Sequence, residues 1–475
     1  MNVSFLQELL NTVAEQGRAL LPKSLFGEEP ERGMQLLVDA LVSGRGEASG
    51  VAIARQILQH YRILGGEERR AFFRYLAHTL RPDGGAVAAA VEAYRAAPGE
   101  AALSRLQAAV ESPRQEFFRR LNLAPGATAE IVGMRRDLLR MPSDDTSLAA
   151  VDADLRHLFV SWFNRGFLVL RRIDWQTPAA ILEKIIAYEA VHAINGWEDL
   201  RRRLDPADRR CFAFFHPSLI DEPLIFVEVA LAHETPQAIR PVLDAARRSQ
   251  PIAEPTTAVF YSISNCQDGL KGISFGNFLI KQVVEELARE LPSLKTFVTL
   301  SPVPSFARWL DRLRADDPDQ VLTPADHEAL KGLRNPGWAD DAATAERLKA
   351  TLMPLAAHYF TRARTADNKP VDPVARFHLG NGARLESINW RGDLSEKGLR
   401  EAHGLMVNYR YELKDIEKNH EAFANDGQVV VSRAVKSLLR PAPKTKALVD
   451  AGAVLMLPSA TPPAGEGAPA DRRKA

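Results

Sequence analysis

The sequence predicts an α+β protein, in which an all-helical N-terminal bundle is followed by a mixed α/β domain. Residues 1–162 place apolar side chains three or four positions apart in one segment after another, which is the spacing of amphipathic helices. Residues 163–457 alternate strand-like runs, rich in aromatic and β-branched residues, with loops and helix-like runs. The last stretch, residues 458–475, consists mainly of Pro, Ala and Gly and is predicted to be disordered.

The helical region is predicted from segments such as ERGMQLLVDALVSGRG and EERRAFFRYLAHTL. Short glycine and proline breaks separate these segments, for example at Gly65-Gly66 and Pro98-Gly99. The segment LRHLFVSWFNRGFLVL closes the region and is predicted to form one long helix that ends near Gly166. Because the region concentrates no chemistry, we expect it to serve as an interface or a scaffold.

The second region begins with a predicted antiparallel hairpin, RRCFAFFH and PLIFVEVALA, around the turn-like PSLIDEP. TTAVFYSIS then predicts a buried strand, the glycine-bearing NCQDGLKGISFG a loop, and NFLIKQVVEELARELP an amphipathic helix. KTFVTLS and, much later, HGLMVNYRYEL predict two more strands, with helical segments between them through about residue 365.

Composition narrows the possible functions. The 475 residues are 46% hydrophobic and 25% charged, which is typical of a globular protein of two or three domains. A net charge of +1 predicts neither nucleic-acid nor anionic-membrane binding, and the sequence has no run of 18 apolar residues that would span a membrane. Cys211 and Cys266 are predicted to be buried free thiols in a reducing compartment. No HxH, HExxH or CxxC pattern predicts a metal site.

The first candidate site is a loop between a predicted strand and a helix that starts near Asn277. It consists of Lys271, Gly272, Ile273, Ser274, Phe275, Gly276 and Asn277. Backbone N–H groups at a helix N-terminus bind anions, and glycine lets a pyrophosphate approach closely. The loop lacks the Gly-Lys-Ser/Thr of a P-loop and a full GxGxxG fingerprint. From spacing alone, a phosphate cradle and a structural turn are therefore equally open.

The second candidate is Ser301, which directly follows the predicted strand KTFVTL and precedes Pro302. A serine at the end of a strand, followed by prolines, lies on a stiff turn. The alternative, which spacing alone favours, is that Ser301 caps the predicted helix PSFARWLDRL. No GxSxG elbow surrounds the serine, so classical serine-hydrolase chemistry is not predicted.

The third candidate is His378, which precedes Leu-Gly-Asn-Gly at a predicted turn before the strand RLESINW. Histidine suits proton transfer near neutral pH, and the alternative is a ring hydrogen-bonded to a backbone carbonyl. In the fourth candidate, NYRYEL, Tyr409 and Tyr411 share one face of a predicted strand and Arg410 lies on the other. Packing in the core is the alternative role for either tyrosine.

These stretches, in this order, resemble the malonyl-CoA decarboxylase family. The resemblance is carried by FYSISNCQDGLKGISFGNFLIKQVVEEL, LSPVPSFARWL, RFHLGNGARLESINW and GLMVNYRYEL. FFHPSLIDEPLIFVEVAL and SWFNRGFLVLRRIDW are also similar to the family, so the resemblance runs from about residue 145 to 440. The helical N-terminal part matches in kind rather than in motif.

The resemblance implies a helical oligomerisation domain at residues 1–162 and a catalytic domain of the GNAT acetyltransferase type at residues 163–457. It implies conversion of malonyl-CoA to acetyl-CoA and CO2, a place in fatty acid metabolism, no metal or organic cofactor, and a homo-oligomer, commonly a tetramer. The sequence shows neither the mitochondrial leader nor the peroxisomal ending of animal members, so a cytoplasmic enzyme of bacterial type is expected.

The resemblance also implies roles for individual residues. Ser301 and His378 occupy the positions of the family's catalytic serine and histidine, and Tyr411 that of an active-site tyrosine. The loop 271–277 takes the position of the family's CoA-binding loop. Two residues depart from the family pattern: Ser305 stands where the family often has glycine, and Ser274 where animal members have an acid.

The implied chemistry is consistent with these residue types. Loss of CO2 leaves an electron pair that delocalises into the thioester as an enolate, so the substrate is its own electron sink. His378 is then expected to donate a proton to carbon two. Ser301 is expected to hydrogen-bond the carboxylate or the enolate, or to accept a proton, and Tyr411 to position one of these groups. Two other functions would use the same loop: an N-acyltransferase of the GNAT type, and a non-catalytic acyl-CoA-binding scaffold.

Overall fold

The structure is a computed structural model, and it describes residues 12, 16, 30–44, 46–142, 145–247, 254–273, 275, 279–317 and 321–440. Four sets of predicted residues lie outside the described residues. These are residues 1–11, 13–15 and 17–29 of the predicted helical bundle, the tail 458–475, residues 441–457 of the predicted catalytic domain, and, within the predicted anion-binding loop, Ser274, Gly276 and Asn277.

The described part of the N-terminal region is entirely helical apart from short connections. Its helices are α1 Pro30–Val42, α2 Glu47–Ile63, α3 Gly66–Thr79, α4 Gly84–Ala96, α5 Glu100–Val110, α6 Pro113–Leu121, α7 Ala127–Leu139 and α8 Thr146–Trp162. Several of them start at the residues that favour a helix N-terminus. Ser112 caps α6 ahead of a proline in the first turn, and Asp145 caps α8.

Aromatic side chains form the centre of this bundle. Tyr61 of α2 contacts Phe72 and Phe73 of α3 edge-on, with ring centroids 5.6 and 6.0 Å apart, and Phe117 of α6 extends the cluster. Each fully buried aromatic side chain stabilises the fold by about 1.5–3 kcal/mol relative to an exposed one. The cluster therefore accounts for the packing of α2, α3 and α6 against one another.

The α4–α5 hairpin, residues 84–110, differs from the rest of the bundle. α4 contains no buried side chain, and α5 contains one, Ala102. Val110 at the end of α5 is exposed. The two helices pack on each other and bury little against the remaining helices.

One sequence-based prediction about this region is wrong. The segment LRHLFVSWFNRGFLVL is not one helix, because α8 ends at Trp162. The side chain of Asn164 accepts a hydrogen bond from the Gly166 N–H and starts a short 3-10 turn, Arg165–Phe167. The following residues form strand β1, Val169–Ile173, which pairs with the next strand of the sheet. Tertiary pairing thus overrides a helix-like apolar spacing.

The second region is built on an eight-stranded mixed sheet in the order β1-β2-β3-β4-β5-β8-β6, with β7 paired to β8. Its other strands are β2 Arg209–Phe215, β3 Pro223–Ala232, β4 Thr257–Asn265, β5 Thr296–Thr299, β6 Ser301–Pro302, β7 Arg384–Asn389 and β8 Met406–Tyr411. The predicted hairpin is confirmed, since β2 and β3 pair antiparallel. β4 and β5 are parallel, and β8 lies between β5 and β6 on one edge and β7 on the other.

Helices cover both faces of this sheet. They are α9 Ala179–Tyr188, α10 Trp197–Leu204, α11 Arg240–Leu243, α12 Leu279–Glu290, α13 Phe306–Ala315, α14 Pro324–Leu330, α15 Ala342–Thr361, α16 Pro373–Gly380, α17 Glu396–Ala402, α18 Ile416–Asp426 and α19 Arg433–Leu438. α9 and α10 pack on one face in a separate small core. α12, α15 and α16 pack on the other face, in a core that is continuous with the N-terminal bundle.

The predicted fold class is confirmed: a helical N-terminal region precedes a mixed-sheet region. The sheet is largely antiparallel, and β4 and β5 form its one parallel pair among the described strands. Across the described residues, no helix is both long and apolar enough to cross a membrane.

Candidate active site

Ser301 lies in the sheet and does not cap a helix. It begins the two-residue strand β6 and pairs with Val407 of β8. The helix that follows, α13, starts at Phe306 with Ser305 before it, so the capping alternative for Ser301 is wrong. The Ser301 side chain is 5% exposed, and its Oγ donates a hydrogen bond of 2.8 Å to Thr299 Oγ1.

His378 lies in the last turn of α16, directly before the predicted turn. Asp372 caps the start of this helix and accepts a hydrogen bond of 2.8 Å from the Ala375 N–H. The predicted turn follows directly, with Gly382 at a φ of +81°, and leads into β7. The predicted strand RLESINW is therefore confirmed. His378 belongs to the helix that ends at the turn before this strand.

The fold brings the three predicted catalytic side chains into one hydrogen-bonded chain. His378 Nε2 lies 3.2 Å from Ser301 Oγ, and His378 Nδ1 lies 2.8 Å from the Tyr411 hydroxyl. The two residues of the first contact are 77 positions apart in the sequence. All three side chains are at least 95% buried. They come from β6, α16 and β8, so the completed sheet is needed to assemble them.

The hydrogen-bond partners determine which histidine nitrogen carries the proton. Burial raises the pKa of the Tyr411 phenol well above its ordinary value, so this hydroxyl keeps its proton. Among the described residues, its hydrogen-bond acceptor is His378 Nδ1. Nδ1 then accepts, and Nε2 carries the N–H that points to Ser301 Oγ. The Ser301 hydroxyl proton is in turn directed to Thr299.

Burial also keeps the histidine uncharged. Desolvation lowers the pKa of His378 to about 3, so the imidazole is neutral throughout the physiological range. Its ring is stacked on the ring of Tyr409 at a centroid distance of 4.6 Å and an interplanar angle of 24°. The site therefore presents a neutral N–H donor in a fixed orientation.

Two supporting residues were missed by the sequence analysis. Thr299 Oγ1 accepts from Ser301 Oγ and also from the backbone N–H of Tyr409, at 3.0 Å. Asn408 is fully buried, and its Nδ2 donates a hydrogen bond of 2.6 Å to the Thr299 carbonyl. The usable signal was the spacing of Thr299 two residues before Ser301, which places both on one face of an extended chain.

The predicted anion-binding loop is described at Lys271, Gly272, Ile273 and Phe275. Gly272 has a φ of +78°, a conformation that favours glycine. The side chains of Ile273 and Phe275 are buried in the main core, and Lys271 is exposed. The two apolar side chains therefore anchor the loop, and its backbone and Lys271 are the parts available to a ligand.

A cavity of about 590 Å³ lies apart from the three catalytic candidates. It is lined by α7 and Arg140 after it, by the end of α9 and the segment that follows, by the β2–β3 connection and by the residues after β4. Its charged residues are Arg136, Arg140, Glu189, Glu222 and Asp268. Side chains of both charges line it, and Ser301, His378 and Tyr411 do not. Its mixed charge does not favour a polyphosphate.

The opposite face of the sheet buries a second polar cluster, centred on Glu228. Arg203 Nη1 lies 3.1 Å from Glu228 Oε2 and 2.8 Å from the His192 carbonyl. Burial raises the pKa of Glu228 to about 8 although Arg203 opposes the shift. Within the described part of the chain, Glu228 Oε1, Arg203 Nε and the Tyr261 hydroxyl have no hydrogen-bond partner. Sequence reasoning did not find this cluster.

Comparison with known proteins identifies the family. A family profile described as "Malonyl-CoA decarboxylase C-terminal domain" matches residues 166–449, and one described as "Malonyl-CoA decarboxylase N-terminal domain" matches residues 80–163. The chain belongs to the malonyl-CoA decarboxylase family. The family resemblance inferred from the motifs is thus confirmed.

Family members of known sequence and structure resemble this chain over most of its length. "Malonyl-CoA decarboxylase, mitochondrial" of Anser anser anser is 31% identical over 466 residues, covering 91% of each protein. The crystal structure of malonyl-CoA decarboxylase from Rhodopseudomonas palustris is 55% identical, with a TM-score of 0.83, and covers 86% of this chain and 100% of that one. The corresponding structure from Agrobacterium vitis is 57% identical, with a TM-score of 0.81 and the same coverage.

Proposed function

We propose that this chain decarboxylates malonyl-CoA to acetyl-CoA and CO2. The observation that carries the proposal is the hydrogen-bonded chain Ser301–His378–Tyr411, in a protein of the malonyl-CoA decarboxylase family. This chain of groups presents one neutral N–H donor beside one hydroxyl, which are the groups needed to stabilise and protonate an enolate. The reaction is that of a carboxy-lyase, with the thioester itself as the electron sink.

The proposed reaction has three parts. The loop 271–277 holds the CoA portion and places the malonyl group beside Ser301 and His378. The bond between the carboxylate carbon and carbon two breaks, CO2 leaves, and the electron pair becomes a thioester enolate. Substrate binding turns the Ser301 hydroxyl away from Thr299. Ser301 then donates its hydrogen bond to the developing oxyanion, and one such donor is worth roughly 3 kcal/mol in the transition state.

His378 completes the reaction by donating its Nε2 proton to carbon two. Tyr411 supports this step, because its hydroxyl donates to Nδ1 and so keeps the proton on Nε2. A neutral imidazole is a far stronger acid than a thioester C–H, so the transfer to the enolate is downhill. The overall reaction consumes one proton, which solvent returns to the site after product release.

The test is an assay of the purified chain with malonyl-CoA and no amine acceptor, with both products identified. Acetyl-CoA and CO2 formed in equal amounts would support the proposal. An absolute requirement for an amine would instead indicate an N-acyltransferase. Binding of malonyl-CoA without turnover would indicate a scaffold. Either of the last two outcomes would overturn the proposal.

We further propose a homotetramer in the cytoplasm that acts in fatty acid metabolism, with residues 1–162 as the assembly domain and 163–457 as the catalytic domain. The α4–α5 hairpin supports assembly, because a helical pair with a single buried side chain gains stability by packing on a second copy. The free, buried Cys211 and Cys266 suit a reducing compartment. Light scattering of the protein eluted from a size-exclusion column tests the tetramer, and cell fractionation tests the cytoplasmic location.

A further inference from the structure

The turn that leads into the proposed CoA loop lies directly on the helical region. Asp268–Leu270 forms a 3-10 turn after β4, and it packs against α7. A Cβ added to Gly269 would lie 2.0 Å from the carbonyl oxygen of Val132 in α7. The backbones of the turn and of the helix are therefore in contact, and only glycine allows this approach.

Arg135 of α7 binds this turn at its central residue and just after its end. Its Nη1 donates to the Gly269 carbonyl at 2.7 Å and to the Lys271 carbonyl at 3.0 Å. Its Nε donates to Asp152 Oδ1 of α8 at 2.7 Å, so Asp152 orients the guanidinium. Arg135 is 2% exposed, and a buried charged donor binds a carbonyl more strongly than an exposed one does.

A second link between the same elements is different in kind. Arg140 lies 2.7 Å from Asp268, but both side chains are about two-thirds exposed, at 66% and 69%. An exposed ion pair of this type contributes little to the position of either partner. The conformation of the turn is therefore set by Arg135 and by the contact at Gly269.

We propose that Arg135 is a positioning residue for substrate binding, through which the helical region fixes the backbone from Gly269 to Lys271, where the CoA loop begins. The inference rests on the proposed function, because it takes the loop as the binding site of the CoA phosphates. Arg135 contacts the backbone at Gly269 and Lys271 and does not contact the reacting groups. Its loss would weaken the hold on the nucleotide end of the substrate and leave the chemistry at Ser301 and His378 unchanged.

The experiment compares malonyl-CoA with malonyl-pantetheine, which lacks the nucleotide phosphates, in the variant Arg135→Lys. Lysine keeps the charge but cannot bridge the two carbonyls and Asp152 together. We expect the KM for malonyl-CoA to rise about tenfold or more, with kcat within about twofold of wild type. The KM for malonyl-pantetheine should not change, because that substrate does not use the phosphate contacts.

Two further variants make the result specific. Arg136→Lys is the matched control, since Arg136 is adjacent on α7 and its hydrogen bonds go to Asp137 rather than to the turn. It should leave both KM values at the wild-type level. Asp152→Asn keeps Arg135 but weakens its orientation, and we expect the same rise in KM to a smaller extent.

A different pattern would overturn the inference. If Arg135→Lys lowers kcat for both substrates equally and leaves KM unchanged, Arg135 serves only to stabilise the fold, since misfolding removes active enzyme without altering affinity. If wild type does not decarboxylate malonyl-CoA, the proposed function fails, and the role of Arg135 is then read from the dissociation constant of CoA itself. A value equal in wild type and Arg135→Lys would overturn the inference independently of catalysis.

Discussion

The two faces of the sheet each bury a set of titratable side chains, and the two sets are built differently. On one face, the polar side-chain atoms of Ser301, His378 and Tyr411 are joined in a chain of hydrogen bonds, and no group is charged. On the other, the Glu228–Arg203 pair carries charge, and Glu228 Oε1 and Arg203 Nε lack partners among the described residues.

Burial and a shifted pKa do not by themselves distinguish the two sets. The pKa of Glu228 is raised to about 8 and that of His378 is lowered to about 3, so both are strongly shifted by desolvation. His378 differs from Glu228 in its hydrogen-bond partners. The Tyr411 hydroxyl donates to its Nδ1, and this places the ring proton on Nε2. We infer that the face of the sheet with His378 is catalytic and that the face with Glu228 serves to stabilise the fold. Four predictions test this division.

The largest effect is expected on the catalytic face. His378→Asn and Ser301→Ala should each lower kcat about a hundredfold or more, because His378 is the proposed proton donor and Ser301 the proposed hydrogen-bond donor to the oxyanion. The dissociation constant of CoA should remain within a few-fold of wild type, because the proposed CoA loop is unaltered. Turnover by either variant within a few-fold of wild type would contradict the assignment.

The pH dependence of stability should separate the two faces. Glu228 keeps its proton up to about pH 8 when folded, whereas an ordinary glutamate loses it near 4.5. At this group the unfolded chain thus binds fewer protons, and the contribution of Glu228 to the free energy of unfolding falls by about 1.4 kcal/mol per pH unit as the pH rises. His378 acts oppositely: folded, it stays neutral down to about pH 3, so acidification below 6.5 favours the unfolded, protonated chain.

Urea unfolding at a series of pH values measures both slopes. Glu228→Gln should make the slope between pH 6.5 and 8 less negative than in wild type. His378→Asn should reduce the loss between pH 6.5 and 3 without removing it, because burial also lowers the pKa of His192 and of His403 to about 4. A Glu228→Gln variant with the same slope as wild type would show that Glu228 is ionised in the folded protein.

A third prediction concerns the charged face alone. Glu228→Met should lower the free energy of unfolding by about 1–3 kcal/mol, because it leaves buried Arg203 Nη1 without the acceptor Glu228 Oε2. The kcat per folded enzyme should stay within about twofold of wild type. The double variant Arg203→Met/Glu228→Met should recover much of the lost stability, since an apolar pair needs no compensating charge. A large fall in kcat for Glu228→Met would place this face in the catalytic machinery.

The smallest effect compares two tyrosines on one strand. Tyr411→Phe removes the hydroxyl that donates to His378 Nδ1 and should lower kcat by about tenfold, the value of one hydrogen bond. Tyr409→Phe is the matched control, because the Tyr409 ring stacks on His378 but its hydroxyl has no partner among the described residues. Its kcat should equal that of wild type, and equal losses in the two variants would contradict the proton placement on Nε2.

Much of the fold could be predicted from local sequence patterns. The β2–β3 hairpin, strands β4, β5, β7 and β8, and helix α12 were all predicted from apolar alternation, helical spacing and turn residues. Strand β1 was missed because its apolar residues continue the spacing of α8, and only pairing with β2 makes them a strand. Local propensity cannot report a partner that lies forty residues later.

The sequence indicated which residues form the candidate site, but it did not indicate how their side chains contact one another. Motifs pointed to Ser301, His378 and Tyr411, yet their spacing alone favoured a helix cap and core packing. Their convergence depends on β8 pairing with β6, which no short window contains. Arg135 was missed for the same reason: it is one of many arginines in the helical region, and its role appears only where the Gly269 and Lys271 carbonyls meet it.

The position of β8 in the sheet has a consequence for biosynthesis. β8, Met406–Tyr411, pairs with β5, β6 and β7, so these strands wait with unpaired edges until more than 400 residues have left the ribosome. Exposed strand edges are the sites at which nascent chains associate wrongly. The nascent chain therefore lacks the complete candidate site, and its strand edges stay open to wrong association, until β8 has been made. Ribosome-bound chains truncated before Met406 are expected to stay bound to chaperones.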